Sequence, residues 1–170
     1  RVARLALVGP GLFGELCALQ PLPVAFDRQC GMHELFERQC DLAPERTAIR
    51  ADDGVLDYAA LEQRANRIAR LLRASGVRRG ALVGLSMDRG TDMLAALLGI
   101  LKAGAGYVPL DPQFPADRLS YMAGDAGLAA LVTQQHHAAR FDLRGRPVLA
   151  LDALHDELAA LPDTRLGRDA

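Results

Sequence analysis

The sequence predicts an α/β fold on a mostly parallel sheet, and three observations predict it. Short apolar segments alternate with helical segments of ten or more residues, the pattern of βαβ units. Most of the strand candidates, such as Ala81-Leu82-Val83-Gly84-Leu85, are apolar on both faces, as strands covered by helices on both sides are. Of the 170 residues, 50% are hydrophobic, enough for the core of one domain.

The elements follow in order. Residues 1–30 carry Pro10, Pro21 and Pro23 without a sustained period and read as a linker, in which Gly9-Pro10 caps and opens a short helix. His33 to Cys40 is a short amphipathic helix and Thr47 to Arg50 a strand. The Asp53-Gly54 turn then returns the chain through Val55-Leu56 as a hairpin. Asp57 caps the next helix, where Leu61, Ala65, Ile68 and Leu72 share a core face, Arg64, Arg67, Arg70 and Arg73 turn to solvent, and Gly76 closes the helix. After the strand Ala81 to Leu85 comes a nearly all-apolar helix, Asp92 to Ala103. It ends in a helix-to-strand joint at Leu101 to Pro112, where Gly104 and Gly106 can take left-handed conformations, Lys102 complements the helix dipole, and Pro109 and Pro112 stiffen the exit. A helix over Pro115 to Asp125 and strands at Leu128 to Val132 and Pro147 to Leu151 complete the pattern.

Charge and composition exclude several classes. A net charge of −1 gives no long-range pull toward nucleic acid or anionic lipid. The longest apolar run, Met93 to Leu101, falls far short of the roughly 20 residues of a membrane span. Cys17, Cys30 and Cys40 form no C-x-x-C pair and read as reduced thiols, which places the chain in the cytoplasm. His136-His137 with His155 suggest a metal site only weakly: adjacent histidines project differently on a regular element, so surface histidines and no metal ligand are expected.

Gly9-Pro10-Gly11-Leu12-Phe13-Gly14 is a literal G-x-G-x-x-G behind Leu5-Ala6-Leu7-Val8, with Asp27 near the position of a ribose-binding acid. An NAD-binding fold needs a crossover helix of about ten residues, and Pro21 and Pro23 leave only Glu15 to Gln20 for it. The helix-cap reading of Gly9-Pro10 is therefore preferred to NAD binding.

Four stretches carry a family resemblance. They are Leu56-Asp57-Tyr58-Ala59-Ala60-Leu61 running into Arg64 to Ala69, Leu101 to Asp111, His33 to Phe36 with Pro44, and Pro115 to Leu119. Together, over residues 31–165, they resemble the N-terminal part of a nonribosomal peptide synthetase adenylation domain, of the AMP-forming acyl/aminoacyl-adenylate synthetase superfamily. Asp57 stands where that family has Thr, and Ala105-Gly106 inverts its usual order; both changes are conformationally mild. Residues 1–30 resemble the condensation-to-adenylation linker, with Gln20-Pro21-Leu22-Pro23 in place of its Trp-Asn-x-Thr signature. The resemblance thus implies a linker, 1–30, and an incomplete adenylation domain, 31–170.

It also implies a chemistry: an amino acid and ATP give an aminoacyl adenylate and pyrophosphate, and the aminoacyl group then loads a carrier-protein thiol. ATP and magnesium are the implied cofactors, with phosphopantetheine on the carrier protein. An upstream condensation domain and the remainder of the adenylation domain are the implied partners, with no nucleic acid and no membrane. That chemistry needs a Gly/Ser/Thr phosphate loop, ribose- and magnesium-binding carboxylates and a lysine. None is recognisable here, so no catalytic, cofactor-binding or metal residue is assigned, and the isolated chain is expected to be inactive. Lys102, the only lysine, is expected at a solvent-facing helix end. Tyr107 and Asp111, at and after a strand's C-terminal end, are the remaining polar candidates; the phenol is expected to pack against a helix and the carboxylate to fix the Pro-Leu-Asp-Pro turn. A structural or docking segment of a synthetase module, without enzymatic role, is the alternative function.

Overall fold

The computed structural model describes residues 9–19, 25, 27, 29–141, 143 and 145–167. The expectations placed on Leu5 to Val8 and on Gln20 to Pro23 lie outside them. Two compact units are separated, Arg1–Cys30 and Gly31–Ala170.

In the first unit, helix α1 (Pro10–Ala18) begins with proline at its first position behind an extended Gly9. Proline has no N–H to lose there, and its fixed φ suits the helical start. Gly9 accepts the Phe13 N–H at 3.0 Å, and Gly11 and Gly14 lie inside the helix. A dinucleotide fingerprint uses its third glycine for close packing of the helix on a strand, and among the described residues nothing lies within 4 Å of a Cβ built at Gly14, so this geometry does not support the NAD-binding alternative.

The second unit starts with α2 (Met32–Leu42) and an antiparallel hairpin, β1 (Thr47–Ala51) with β2 (Gly54–Asp57). Next come α3 (Tyr58–Ala74), β3 (Leu82–Ser86), α4 (Thr91–Lys102), β4 (Gly106–Pro109) and α5 (Ala116–Asp125). The chain continues through β5 (Ala130–Thr133), α6 (Gln135–Ala138), β6 (Val148–Ala150) and α7 (His155–Ala160). Strands β3 to β6 form one parallel sheet in the order β4-β3-β5-β6. Helices α6 and α7, of 4 and 6 residues, are too short to show an apolar period.

Period-two alternation builds a core on each face of this sheet. Val83 and Leu85 of β3, Ala130 and Val132 of β5, and Leu149 of β6 join the core made by α3 and α4. Leu131 of β5 points the other way, to Leu119 and Ala123 of α5 with Leu110, Leu128 and Phe141. Both faces are covered, as the uninterrupted apolar strands required.

Helix α4 crosses α3 at Gly99, where an added Cβ would stand 2.7 Å from Ile68 Cγ2 and 3.0 Å from the Ala65 carbonyl oxygen. The absent side chain lets the two helices approach this closely. The joints after α3, α4 and α5 share one design. Gly76, Gly104 and Gly127 take φ of 90°, 85° and 60°, and the next residue, Val77, Ala105 or Leu128, is buried. At the central joint the Gly104 N–H donates to Leu101 O and the Ala105 N–H to Ile100 O, the Schellman pattern that satisfies the last carbonyls. Gly106 does not share the left-handed conformation expected of it; it begins β4, and a Cβ there would meet Leu82 Cδ2 at 3.1 Å.

Asp57 caps α3 as expected, accepting the Ala60 N–H at 2.7 Å. The hairpin turn is tied to the start of α4 by Asp53, whose carboxylate accepts both the N–H and the hydroxyl of Thr91 at 2.9 Å. Those bonds hold Asp53 below the usual carboxylate pKa.

Two expectations about charged residues are corrected by long-range contacts. The arginines of α3 do not simply face solvent: Arg67 and Arg70 hold the segment after α7, and Arg64 and Arg73 reach α4. Arg67 pairs with Asp163 at 3.2 Å, Arg70 donates to Thr164 O at 3.0 Å, and Arg64 pairs with Asp92 at 2.8 Å. Lys102 is not at a wet helix end either: its side chain is 2% exposed, between the carboxylates of Glu37 on α2 and Glu62 on α3. Arg165 reaches Glu62 and Asp41, each at 2.7 Å. Burial acts to raise the Glu62 pKa, but the Arg165 hydrogen bond and the Lys102 charge outweigh it and hold the carboxyl low. Beside them, burial and the Glu62 charge push the Cys40 thiol up to about 12.

Three outcomes are expected from this packing. Gly99→Ala destabilises the chain by about 1–3 kcal/mol despite alanine's better helix propensity, because the overpacking term dominates; a urea midpoint at or above that of the parent would contradict it. Lys102→Met leaves the two carboxylates without their shared cation and costs about 3–5 kcal/mol in the same assay, and a loss under about 1 kcal/mol would show that the pair is not buried in solution. The folded Cys40 thiol holds its proton more tightly than the unfolded one. Its contribution is therefore full below the ordinary value of 9.0 and is lost as pH rises toward about 12. Cys40→Ala should flatten that alkaline decline in unfolding free energy; an unchanged slope counts against the buried neutral thiol.

Candidate functional site

Strand order determines where a site can form. The connection after β3 leads to β4 on one side, and the connection after β5 leads to β6 on the other, so the winding reverses between β3 and β5. Chains leaving the C-terminal ends of these two neighbours diverge, and α/β proteins place ligands in the crevice this opens.

The polar groups at that position are Asp88, two residues past β3, and Gln134, His136 and His137, just past β5. Gln134 Oε1 accepts the Asp88 N–H at 2.8 Å, joining the two loops. Asp152, past β6, accepts the Gln135 N–H at 2.8 Å and fixes the start of α6. Thr133 Oγ1 donates to Ser86 O at 2.7 Å, pinning the strand ends beneath. On this frame His136 Nε2 lies 3.0 Å from Asp88 Oδ2, and His137 Nε2 lies 3.0 Å from Asp88 Oδ1. The hydrogen bond to His137, aided by that to His136, holds the Asp88 carboxyl below the usual range.

The adjacent imidazoles therefore converge, where divergence was expected. Helix α6 is a single turn, and its two rings tilt together with centroids 3.9 Å apart. His155 stands apart from them, at a cleft of about 240 Å³ with Arg64, Arg67 and Leu158. Sequence reading missed Asp88, although a carboxylate just beyond a doubly buried strand is the signal that the switch-point rule looks for.

The other polar candidates divide. Asp111 accepts the Gln113 N–H at 2.8 Å, the local turn bond expected of it. Arg140 fixes the same loop by donating to Pro112 O and Phe114 O. Tyr107 is 40% exposed on β4. Cys17 is exposed, Cys30 half-buried and Cys40 buried. No helix among the described residues is long and apolar enough to cross a membrane.

The family profile described as AMP-binding enzyme matches residues 36–166. A linear gramicidin synthase of Brevibacillus parabrevis is 43% identical over 152 residues, which are 89% of this chain and 3% of that protein. A dimodular nonribosomal peptide synthase of Bacillus subtilis (strain 168) is 42% identical over 127 residues, 74% of this chain and 5% of its own. The chain thus spans only a few per cent of the length of these relatives. Among solved structures, the nonribosomal peptide synthetase FmoA3 superposes with a TM-score of 0.73 at 32% identity, over 87% of this chain and 15% of that one. A Mycobacterium tuberculosis fatty acyl CoA synthetase, at TM-score 0.74 and 20% identity over 84% of this chain and 30% of its own, shares the fold. The chain belongs to the AMP-binding enzyme family, and it is similar to peptide synthetases at 32–43% identity.

Proposed function

We propose that residues 31–170 are the N-terminal portion of an amino-acid adenylation domain and that residues 1–30 link it to a preceding condensation domain. The observation that carries this is the 43% identity to a peptide synthetase across 89% of the chain. In the parent protein, an amino acid and ATP would form an aminoacyl adenylate and pyrophosphate, with magnesium, before transfer to the phosphopantetheine thiol of a carrier protein. One solved relative is an AMPPNP-bound form, which supports the nucleotide.

The described residues do not themselves fit ATP or magnesium. A triphosphate calls for a glycine-rich backbone cradle and a free lysine, and the single lysine is engaged by Glu37 and Glu62. Magnesium calls for oxygen ligands, whereas Asp88 is bonded to two imidazoles. The contribution we assign to these residues is architectural: they build the parallel sheet and hold its C-terminal loops in register.

The test is amino-acid-dependent ATP–pyrophosphate exchange. The 170-residue chain alone should give none with any proteinogenic amino acid, while the same chain extended through a phosphate-loop sequence and the rest of its domain should exchange with a restricted set. Exchange above a buffer control by the short chain would overturn the architectural assignment, and none from the extended one would overturn the adenylation reading.

A further inference from the structure

We propose that Asp88, His136 and His137 form a binding site for a zinc-class divalent transition-metal ion at the switch point of the sheet. One donor atom from each of the three residues lies within 4.8 Å of the other two. Ligands of a tetrahedral zinc ion, at about 2.0–2.2 Å from the metal, stand about 3.3–3.6 Å from one another. Each imidazole Nε2 is 3.0 Å from an Asp88 oxygen, His136 from Oδ2 and His137 from Oδ1, so an ion can enter between the three side chains with modest movement of the rings and the carboxylate.

The frame is held from outside the donor set. Gln134 fixes the Asp88 backbone, Asp152 fixes the start of α6, and Thr133 ties the ends of β3 and β5 together. Such bonds position ligands before an ion arrives and lower the ordering cost of binding. The side chains of Asp88 and His136 are 58% and 55% exposed, leaving an entry path, while that of His137, at 14%, is held against the protein.

Two imidazole nitrogens and one carboxylate oxygen favour zinc, nickel or copper over magnesium or calcium, which prefer oxygen alone. This ion is therefore distinct from the magnesium of adenylate formation, and the proposal stands whether or not the adenylation reading does. On binding, each imidazole gives its Nε2 lone pair to the ion; a neutral ring protonated at Nε2 first loses that proton to solvent and takes one up at Nδ1, with no net release. A ring that starts as imidazolium releases one proton to solvent, so affinity falls as pH drops. Three protein ligands leave a fourth position for water, and the bound ion clips the loop after β3 to that after β5.

The test is calorimetric titration of the 170-residue chain with zinc chloride, supported by cobalt(II) absorption and by circular dichroism to verify folding. The expected result is one ion per chain, unaffected by millimolar magnesium, with a tetrahedral cobalt spectrum free of thiolate charge-transfer bands. His137→Gln and His136→Gln should each weaken binding about tenfold or more, while His33→Gln and His155→Gln leave it unchanged. Absence of saturable binding, a thiolate band, or undiminished affinity in both folded His136 and His137 variants would overturn the site.

Discussion

The second unit is organised around one buried ammonium. Lys102 is the last residue of α4, and its charge is met by Glu37 from α2 and Glu62 from α3. Glu62 is shared with Arg165, which also holds Asp41, so the segment following α7 closes over the same cluster. Removing these charges from water is costly, and their attraction offsets that cost only where geometry is good. The consequence is selective rather than simply stabilising. An apolar residue would tolerate several placements of α2 on α3 and α4, whereas a buried lysine accepts those that supply carboxylates. Arg73 completes the arrangement by donating to the Lys102 carbonyl at 3.4 Å, a helix-end acceptor that no helical N–H reaches.

With α2, α3 and α4 set on one face, sheet topology determines the rest. Helix α4 joins the core on one side and α5 the core on the other, because the chain moves first outward to β4 and then back across β3 to β5. Keeping one hand of crossover while reversing direction puts successive helices on opposite faces. Gly84 shows how tightly this is packed: a Cβ there would meet Leu128 Cδ1 and Leu131 Cδ1 at 2.8 Å. The same reversal leaves the loops after β3 and β5 side by side, which is why Asp88 and His136, 48 residues apart in sequence, become neighbours.

What the sequence disclosed was local. Short runs apolar on both faces marked the strands of the parallel sheet, the 3.6-residue stripe of Leu61, Ala65, Ile68 and Leu72 marked α3, and Asp57 and Gly76 marked its ends. What stayed hidden depended on a partner far along the chain. Lys102 looks wet until Glu37, 65 residues earlier, is brought over it. Arg67 and Arg70 look solvated until residues 163 and 164 fold back on them. Helices α6 and α7, with 4 and 6 residues, are too short to show a period. The convergence of His136 and His137 belongs to the same class, since a one-turn helix is not bound by the ring directions of a long one.

The stretch from Leu101 to Pro112 shows why an identifying motif need not be a chemical one. Ile100 and Ala103 are buried beneath it, Gly104 supplies the left-handed turn, and Ala105 is buried as the chain enters β4. Leu110 then crosses to the opposite core, while Asp111 and Arg140 lock the exit through the Gln113 N–H and the Pro112 and Phe114 carbonyls. Most of these positions answer to a packing or hydrogen-bond constraint, and a change at one would displace β4 against β3. Because β3 also positions Asp88, the joint controls the mouth of the switch-point crevice without contributing a side chain to it. Recurrence of the same glycine-then-apolar ending after α3 and α5 supports this mechanical account, since three joints of one design appear wherever a helix must hand the chain back to the central layer.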